Sequence, residues 1–351
     1  MRITSRLYKL AGKENQAYID RLRYALGALP RVRKAQPADS LPGPFPPPPY
    51  KACLVVSADL ELAWAWRYVR DIDNPIGYAR LQAEATRRNF DPLLALFDRY
   101  EVPVTWAVVG HLFLERCERV GARAHSDLTR LPYFENEYWR FQSGDWFDGD
   151  PGTNYRSDPD WYGPDLIDAI LHSKMKHEIA CHSFSHIDFS DGICPARVAD
   201  GELEKCEDIA REWRVRMNSL VFPANLVGNL EALGRHGITA YRLRTGYELD
   251  VPRLDAFGLW QIPGDVQWEK PYGWSAESWI GALKRCVDRA LDTGTLFHLW
   301  FHPSCERVNV DQVFPHVLEH IAARRDDLWV TTMAGLVDYL STCADKQSIS
   351  S

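Results

Sequence analysis

Residues 53–59 read CLVVSAD, a short apolar run that ends on an acid. A run of this length without polar alternation suits a strand buried on both faces, the kind found in parallel sheets. The pattern recurs downstream. VPVTWAVVG (102–110), HEIACH (177–182), SLVFP (219–223), ITAYR (238–242), LWQIP (259–263) and TLFHLWFHP (295–303) are further strand candidates. Between them lie stretches with helical spacing: NFDPLLALFDRY (89–100), PARVADGELEKCEDIAREWR (195–214), LVGNLEALGRHG (226–237) and SAESWIGALKRCVDRALDTG (275–294), the last with a glycine stop. VFPHVLEHIAARR reads as helix, and LWVTTMAGLVDYLS closes with a short strand and a helix. Alternating strand and helix predicts an α/β fold with a mostly parallel sheet, and about seven repeats suit one barrel.

Two regions break the rhythm. Residues 36–49 read QPADSLPGPFPPPP, which neither a helix nor a central strand accepts. This is read as an extended linker. Before it, residues 1–36 have helical character and nine Lys or Arg against Glu14 and Asp20. The expected organisation is therefore a basic helical extension with a proline-rich linker over 1–50, a barrel over 51–343, and a flexible tail over 344–351. The second irregular region is an insertion at about 125–164, rich in Asp, Gly, Pro and aromatics. A loop this long in a compact domain is usually functional or disordered, and its aromatics argue for order.

The chain has 351 residues, a net charge of -7 and a pI of about 5.9, which disfavours general nucleic-acid binding. The basic N-terminus suits either peripheral contact with an anionic membrane or a solvated helix. No secretory signal or membrane-length apolar run is visible, so the expectation is a soluble, cytoplasmic protein. The eight cysteines are scattered without a CxxC pair, which argues against a thiolate zinc knuckle, and Cys53 and Cys181 read as small hydrophobes.

Barrel chemistry gathers at the carboxyl ends of strands. Four such ends carry reactive groups. In Ser57-Ala58-Asp59-Leu60-Glu61, the period-two backbone puts Asp59 and Glu61 on one side. His182 and His186 are four apart and share a face if the turn between them is helical. Imidazole is the commonest side-chain ligand for zinc and similar ions. In His298-Leu299-Trp300-Phe301-His302-Pro303, alternate residues share a face. There His298 reads as a core histidine, and His302 is placed to exchange a proton. Asn225, after Phe222-Pro223-Ala224, offers either an amide to a substrate or a helix cap.

Acid pair, HxxxH, FPxN and HxxxHP in this order resemble the NodB-like polysaccharide deacetylases, also called carbohydrate esterase family four. The resemblance spans about residues 52–340. It implies a distorted (β/α)7 barrel holding a divalent metal, most often zinc. It implies Asp59 as catalytic base, Glu61, His182 and His186 as metal ligands, and His302 as general acid. The usual motif has two adjacent aspartates, whereas this chain has Leu60 at the second place and matches a D-x-E variant. The family's third-motif arginine is missing at Pro223-Ala224-Asn225, which leaves Arg242 or Arg244 to supply it. The fourth motif is loosely matched by Asp265-Val266-Gln267-Trp268. The implied reaction is hydrolysis of an N-acetyl or N-formyl amide on an amino sugar of a glycan or glycan precursor, including activated or lipid-linked sugars. Asn225, Trp161, Tyr162 and Trp300 are candidate substrate contacts, although the insertion's aromatics could instead pack its own core. Another carbon–nitrogen amide hydrolase, or a non-catalytic carbohydrate binder, are the alternatives.

Overall fold

Strand β1 (Ala52–Leu60) is buried along all nine residues. The computed structural model describes residues 31–32, 41–121, 123–246, 248–264 and 266–350. The expected basic extension falls almost wholly outside them. Around β1 run β2 (Thr105–Val108), β3 (Glu178–Cys181), β4 (Ser219–Val221), β5 (Ala240–Arg244), β6 (Trp260–Gly264), β7 (Val266–Gln267), β8 (Leu296–Phe301) and β9 (Leu328–Thr331). Their pairings in the barrel wall are parallel, and a short strand Arg253–Leu254 adds antiparallel to β6.

The sheet curls into the expected distorted barrel. β1 pairs with β8 along one edge, from Leu296↔Cys53 to Phe301↔Ala58. Its other edge is shared: β9 takes Ala52–Val55 and β2 takes Ser57–Leu60. The wall is thin at two places. β3 and β4 pair only at Cys181↔Leu220, and β7 reaches β8 through two residues.

Period two along β1 sorts its side chains. Leu54, Val56, Ala58 and Leu60 join the large core that packs against the helices, while Cys53 and Val55 belong to a smaller inner core. That inner core is closed by Met333, Leu336, Val337 and Leu340 from the C-terminal helix. Ser57 and Asp59 continue the same inward row, so the barrel interior is apolar below and polar above.

The helices are α1 (Pro75–Tyr100), α2 (Pro164–Leu171), α3 (Ala196–Trp213), α4 (Leu230–Arg235), α5 (Ala276–Thr293), α6 (Phe314–Ala322) and α7 (Met333–Ser350). α1 begins fourteen residues earlier than its apolar spacing suggested. Asn74 caps it by accepting from the Gly77 N–H at 2.9 Å, and Pro75 follows as the first helical residue. Gly294 ends α5 at φ +65, as expected. The expected tail at 344–351 is instead the last part of α7, which runs to Ser350. Residues 343–348 read CADKQS, with no Gly or Pro to stop it. No helix among the described residues is long and apolar enough to cross a membrane.

The insertion is ordered and carries a small hairpin, Phe134–Glu135 with Arg140–Phe141; another, Arg119–Val120 with Arg123–Ala124, lies just before it. Trp161 and Tyr162 are fully buried in it. Trp161 packs edge-on to Trp64 at 5.5 Å, and the Tyr162 hydroxyl donates to Asp150 at 2.6 Å. Neither ring is open to a sugar, which corrects the expectation of stacking surfaces: their apolar area joins the large core that runs from the barrel into the insertion.

Candidate metal centre

Glu61 follows the last residue of β1, so it continues the inward row that Asp59 ends. Glu61 Oε1 lies 3.1 Å from His182 Nε2 and 3.0 Å from His186 Nε2. All three residues are buried.

The loop that presents the two histidines is not helical. Ser183 and His186 adopt left-handed backbone angles, φ 56 and φ 59, so the expected helical turn is replaced by a bend. Its shape is held from outside. The N–H groups of Gly110 and His111 donate to the carbonyls of Ser183 and Phe184 at 2.8 and 2.9 Å. The Ser185 N–H and hydroxyl both donate to buried Glu202, at 2.7 and 2.6 Å. Arg67 Nη2 and Trp146 Nε1 donate to the Ser185 carbonyl at 3.0 and 3.1 Å. These bonds offset the cost of two non-glycine residues in the left-handed region.

His182 shows what the centre is built to hold. Its Nδ1 lies 2.7 Å from the Val221 carbonyl, which can only accept, so the ring proton sits on Nδ1. Nε2 is the ring position left to face a carboxylate oxygen. Two acceptors at 3.1 Å need a proton or a cation between them. Burial lowers the His186 pKa to about 4, against the pull of Glu61, so that imidazole is neutral. Burial raises the Glu61 carboxyl, but the two imidazoles outweigh it and the net shift is downward. Two imidazoles and one carboxylate, with a backbone carbonyl orienting one ring, form a donor set that fits a divalent ion.

Beside this trio, Arg242 grips Asp59. Nη1 donates to Oδ1 at 2.7 Å and Nη2 to Oδ2 at 2.6 Å, with both side chains almost fully buried. Arg242 also donates to Ser57 Oγ at 3.1 Å and Asn225 Oδ1 at 3.2 Å. Its guanidinium lies 4.7 Å from the centre of the Trp300 ring. Burial raises the Asp59 carboxyl, yet the guanidinium more than reverses it, leaving the pKa below the ordinary value. The cation that holds Asp59 thus comes from β5, the strand after the Pro223 segment. Asn225 faces Arg242 and caps no helix; the position before α4 is Asn229, whose side chain also makes no cap. Trp300 is 5% exposed and is covered by Arg242, so it supports that residue and presents no open stacking face.

His302 completes the arrangement. It is within ligand range of Asp59 and Glu61, its side chain 21% exposed. Its Nδ1 and backbone N–H both donate to Glu269 Oε1, at 2.9 and 2.7 Å. Burial lowers its pKa, but Glu269, Glu61 and Asp59 raise it further, to about 9. His298 is a buried core histidine, as expected. Its Nε2 lies 2.8 Å from Ser57 Oγ and its Nδ1 3.1 Å from the Pro263 carbonyl. Trp268 packs among Phe97, Phe301 and Phe314, and Asp265 lies outside the described residues. Sequence reasoning missed Glu269, the residue after Trp268, although an acid just beyond a strand beside His302 was a readable signal.

The molecule therefore has the fold of the NodB-like polysaccharide deacetylases, at a distance of about 15% sequence identity. A chain assigned as a polysaccharide deacetylase from Mycobacterium smegmatis aligns with TM-score 0.57 at 15% identity, over 84% of this chain and 92% of that one. One assigned likewise from Pseudomonas aeruginosa PAO1 aligns with TM-score 0.56 at 15% identity, over 86% and 94%. PuuE allantoinase aligns with TM-score 0.56 at 15% identity, over 84% and 92%. No family model and no curated protein sequence matches the chain.

Proposed function

We propose that the protein is a metal-dependent hydrolase that removes the N-acetyl or N-formyl group from an amino sugar. The observation that carries this reading is the convergence of His182 Nε2 and His186 Nε2 on Glu61 Oε1 beside a bidentate Arg242–Asp59 pair. Glu61, His182 and His186 would hold the ion, with Glu61 in the role of the second acid of a D-x-E motif. A divalent ion, zinc best matching this donor set, supplies Lewis acidity and an acidified water.

The remaining chemistry belongs to the chain. Asp59, ionised and fixed by Arg242, accepts the proton of the water that attacks the amide carbon. His302, protonated below about pH 9, donates to the nitrogen as the carbon–nitrogen bond breaks. The products are a carboxylate and a free amine. Glu269 fixes the His302 Nδ1 proton, which leaves Nε2 to make the donation.

The narrowness of the centre supports a small acyl group over a bulky one. Asp59 and Glu61 are only 4% and 6% exposed. Trp139 packs on His186 at 5.4 Å, while Trp66 and Trp300 pack on His302 at 5.9 and 5.6 Å. The same enclosure favours a second reading, hydrolysis of a small cyclic or linear amide, in keeping with a fold that also carries an allantoinase. A zinc-supplemented screen tests both. Acetate or formate release from N-acylated amino sugars, nucleotide-linked and lipid-linked forms included, is the expected outcome. Turnover of small ureides or cyclic amides alone would replace the sugar reading with the second. No turnover of either class, with metal bound, would leave a carbohydrate-binding relative.

A further inference from the structure

A second convergence of ligand atoms lies at the root of the insertion. His111 sits on the 3-10 turn Gly110–Phe113 just after β2, while Cys117, His125 and Asp150 come from the segment beyond it. The two Nε2 atoms of His111 and His125 are 3.0 Å apart. Cys117 Sγ lies 3.3 Å from His125 Nε2. Asp150 Oδ2 lies 3.2 Å from His111 Nε2 and 3.9 Å from His125 Nε2. We propose that His111, Cys117, His125 and Asp150 form a structural zinc site, distinct from the Glu61–His182–His186 centre, that pins the insertion to the barrel rim.

The spacing fits a single ion. Tetrahedral zinc with bonds of about 2.0–2.3 Å sets its ligand atoms roughly 3.3–3.6 Å apart. Four of the six separations, 3.0–3.9 Å, bracket that range, and all six lie within 4.8 Å. The donor chemistry fits as well. Two imidazoles, a thiolate and a carboxylate neutralise a divalent cation, so a buried site carries no net charge. Asp150 gives an independent indication. Its side chain is fully buried, and among the described residues Oδ2 accepts no aligned hydrogen bond, although it points into the cluster with His111 Nε2 3.2 Å away. Its other oxygen accepts from the Tyr162 hydroxyl at 2.6 Å and the Gly152 N–H at 2.9 Å, as outer-shell partners of a ligating carboxylate should. On the other side the outer shell is thinner, since His111 Nδ1 has no partner among the described residues. Cys117 lines a surface cleft with Glu118, Gly152 and Thr153, which gives an ion a route in.

The site has a mechanical consequence. The His111 N–H donates to the Phe184 carbonyl at 2.9 Å, and the His111 and His125 rings pack on Phe184 at 5.5 and 5.0 Å. Phe184 lies between the two histidines of the catalytic loop. An ion here would hold that loop's shape without touching substrate.

Cobalt tests the assignment, because only a thiolate ligand gives a near-ultraviolet sulfur-to-cobalt charge-transfer band. Full-length protein is purified from cobalt-supplied, zinc-poor culture, and its spectrum and metal content are measured. The wild type should hold two ions per chain and show the band. Glu61→Gln should lose an ion and keep the band, which separates this site from the catalytic reading. Cys117→Ala should lose the band, and Asp150→Asn should keep it while losing about tenfold or more in metal affinity. If Cys117→Ala is insoluble, the wild-type and Glu61→Gln spectra decide. Folded wild-type protein without the band, or a band that survives in Cys117→Ala, overturns the proposal.

Discussion

Arg242 and Asp59 exchange two short hydrogen bonds with both side chains out of water, so neither tolerates loss of the other. Removing one partner of a buried pair typically costs about 3–5 kcal/mol, because the remaining charge stays unsolvated. Arg242→Gln should therefore lower the melting temperature clearly and cut kcat/KM by about 100-fold or more. Arg242→Lys should fold better yet stay impaired, since one ammonium cannot match a two-pronged grip. A lysine variant with wild-type kcat/KM would show that the grip does not matter. Glu269→Gln addresses the acid. His302 has a raised pKa, so its protonated form is present below about pH 9 and lost above it. Without the Glu269 anion that loss should begin nearer the ordinary histidine value. The basic limb of the kcat/KM profile should then move down by about a unit or more, with the acidic limb in place. An unmoved basic limb would remove His302 from the role of acid. Both positions show what a sequence hides at this scale. ITAYR carries a cation in an apolar strand, a visible oddity, but its partner lies 183 residues away.

The loops at the strand ends are set by packing more than by their own preferences. The HxxxH spacing invites a helical turn, yet Ser183 and His186 are left-handed while neighbouring elements bond the backbone groups of Ser183, Phe184 and Ser185. Sequence periodicity reports which face is apolar, and this loop has no such face to report. For the same reason the spacing of α1 was legible only in its apolar second half, 89–100, while the cap at Asn74 and Pro75 marks its true start. Gly228 tests how tightly the loops fit. A Cβ there would lie 2.2 Å from the Phe189 carbonyl oxygen and 2.7 Å from the Asp191 nitrogen, both backbone atoms in the segment that follows His186. Backbone cannot yield as a flexible side chain can. Gly228→Ala should destabilise by about 1–3 kcal/mol in denaturant melts and weaken metal binding in parallel. Loss of stability with unchanged metal affinity would mean the HxxxH loop is held independently of this contact.

At the scale of the whole molecule, the barrel is legible because buried parallel strands write uninterrupted apolar runs, and β1 is the plainest of them. Its closure is not legible: β7 is two residues long, and β3 meets β4 at one position. Nor is the placement of α7, whose Met333, Leu336, Val337 and Leu340 fill the bottom of the barrel while Ser57 and Asp59 line the top. This division makes stability and metal binding one linked property. Residue 61 lies 121 residues from His182 and joins the two histidines only when the barrel is folded, so an ion held by all three binds the native state. Free zinc at a hundred times its Kd should then add about 2.7 kcal/mol of stability from this centre. Chelation should abolish turnover, and zinc should restore it. His182→Ala should stay inactive at any zinc concentration and lose this centre's share of the zinc-dependent rise in melting temperature. Full activity in protein stripped to well below one ion per chain would exclude a metal-dependent reaction, and an unchanged melting response in His182→Ala would place the stabilising ion elsewhere.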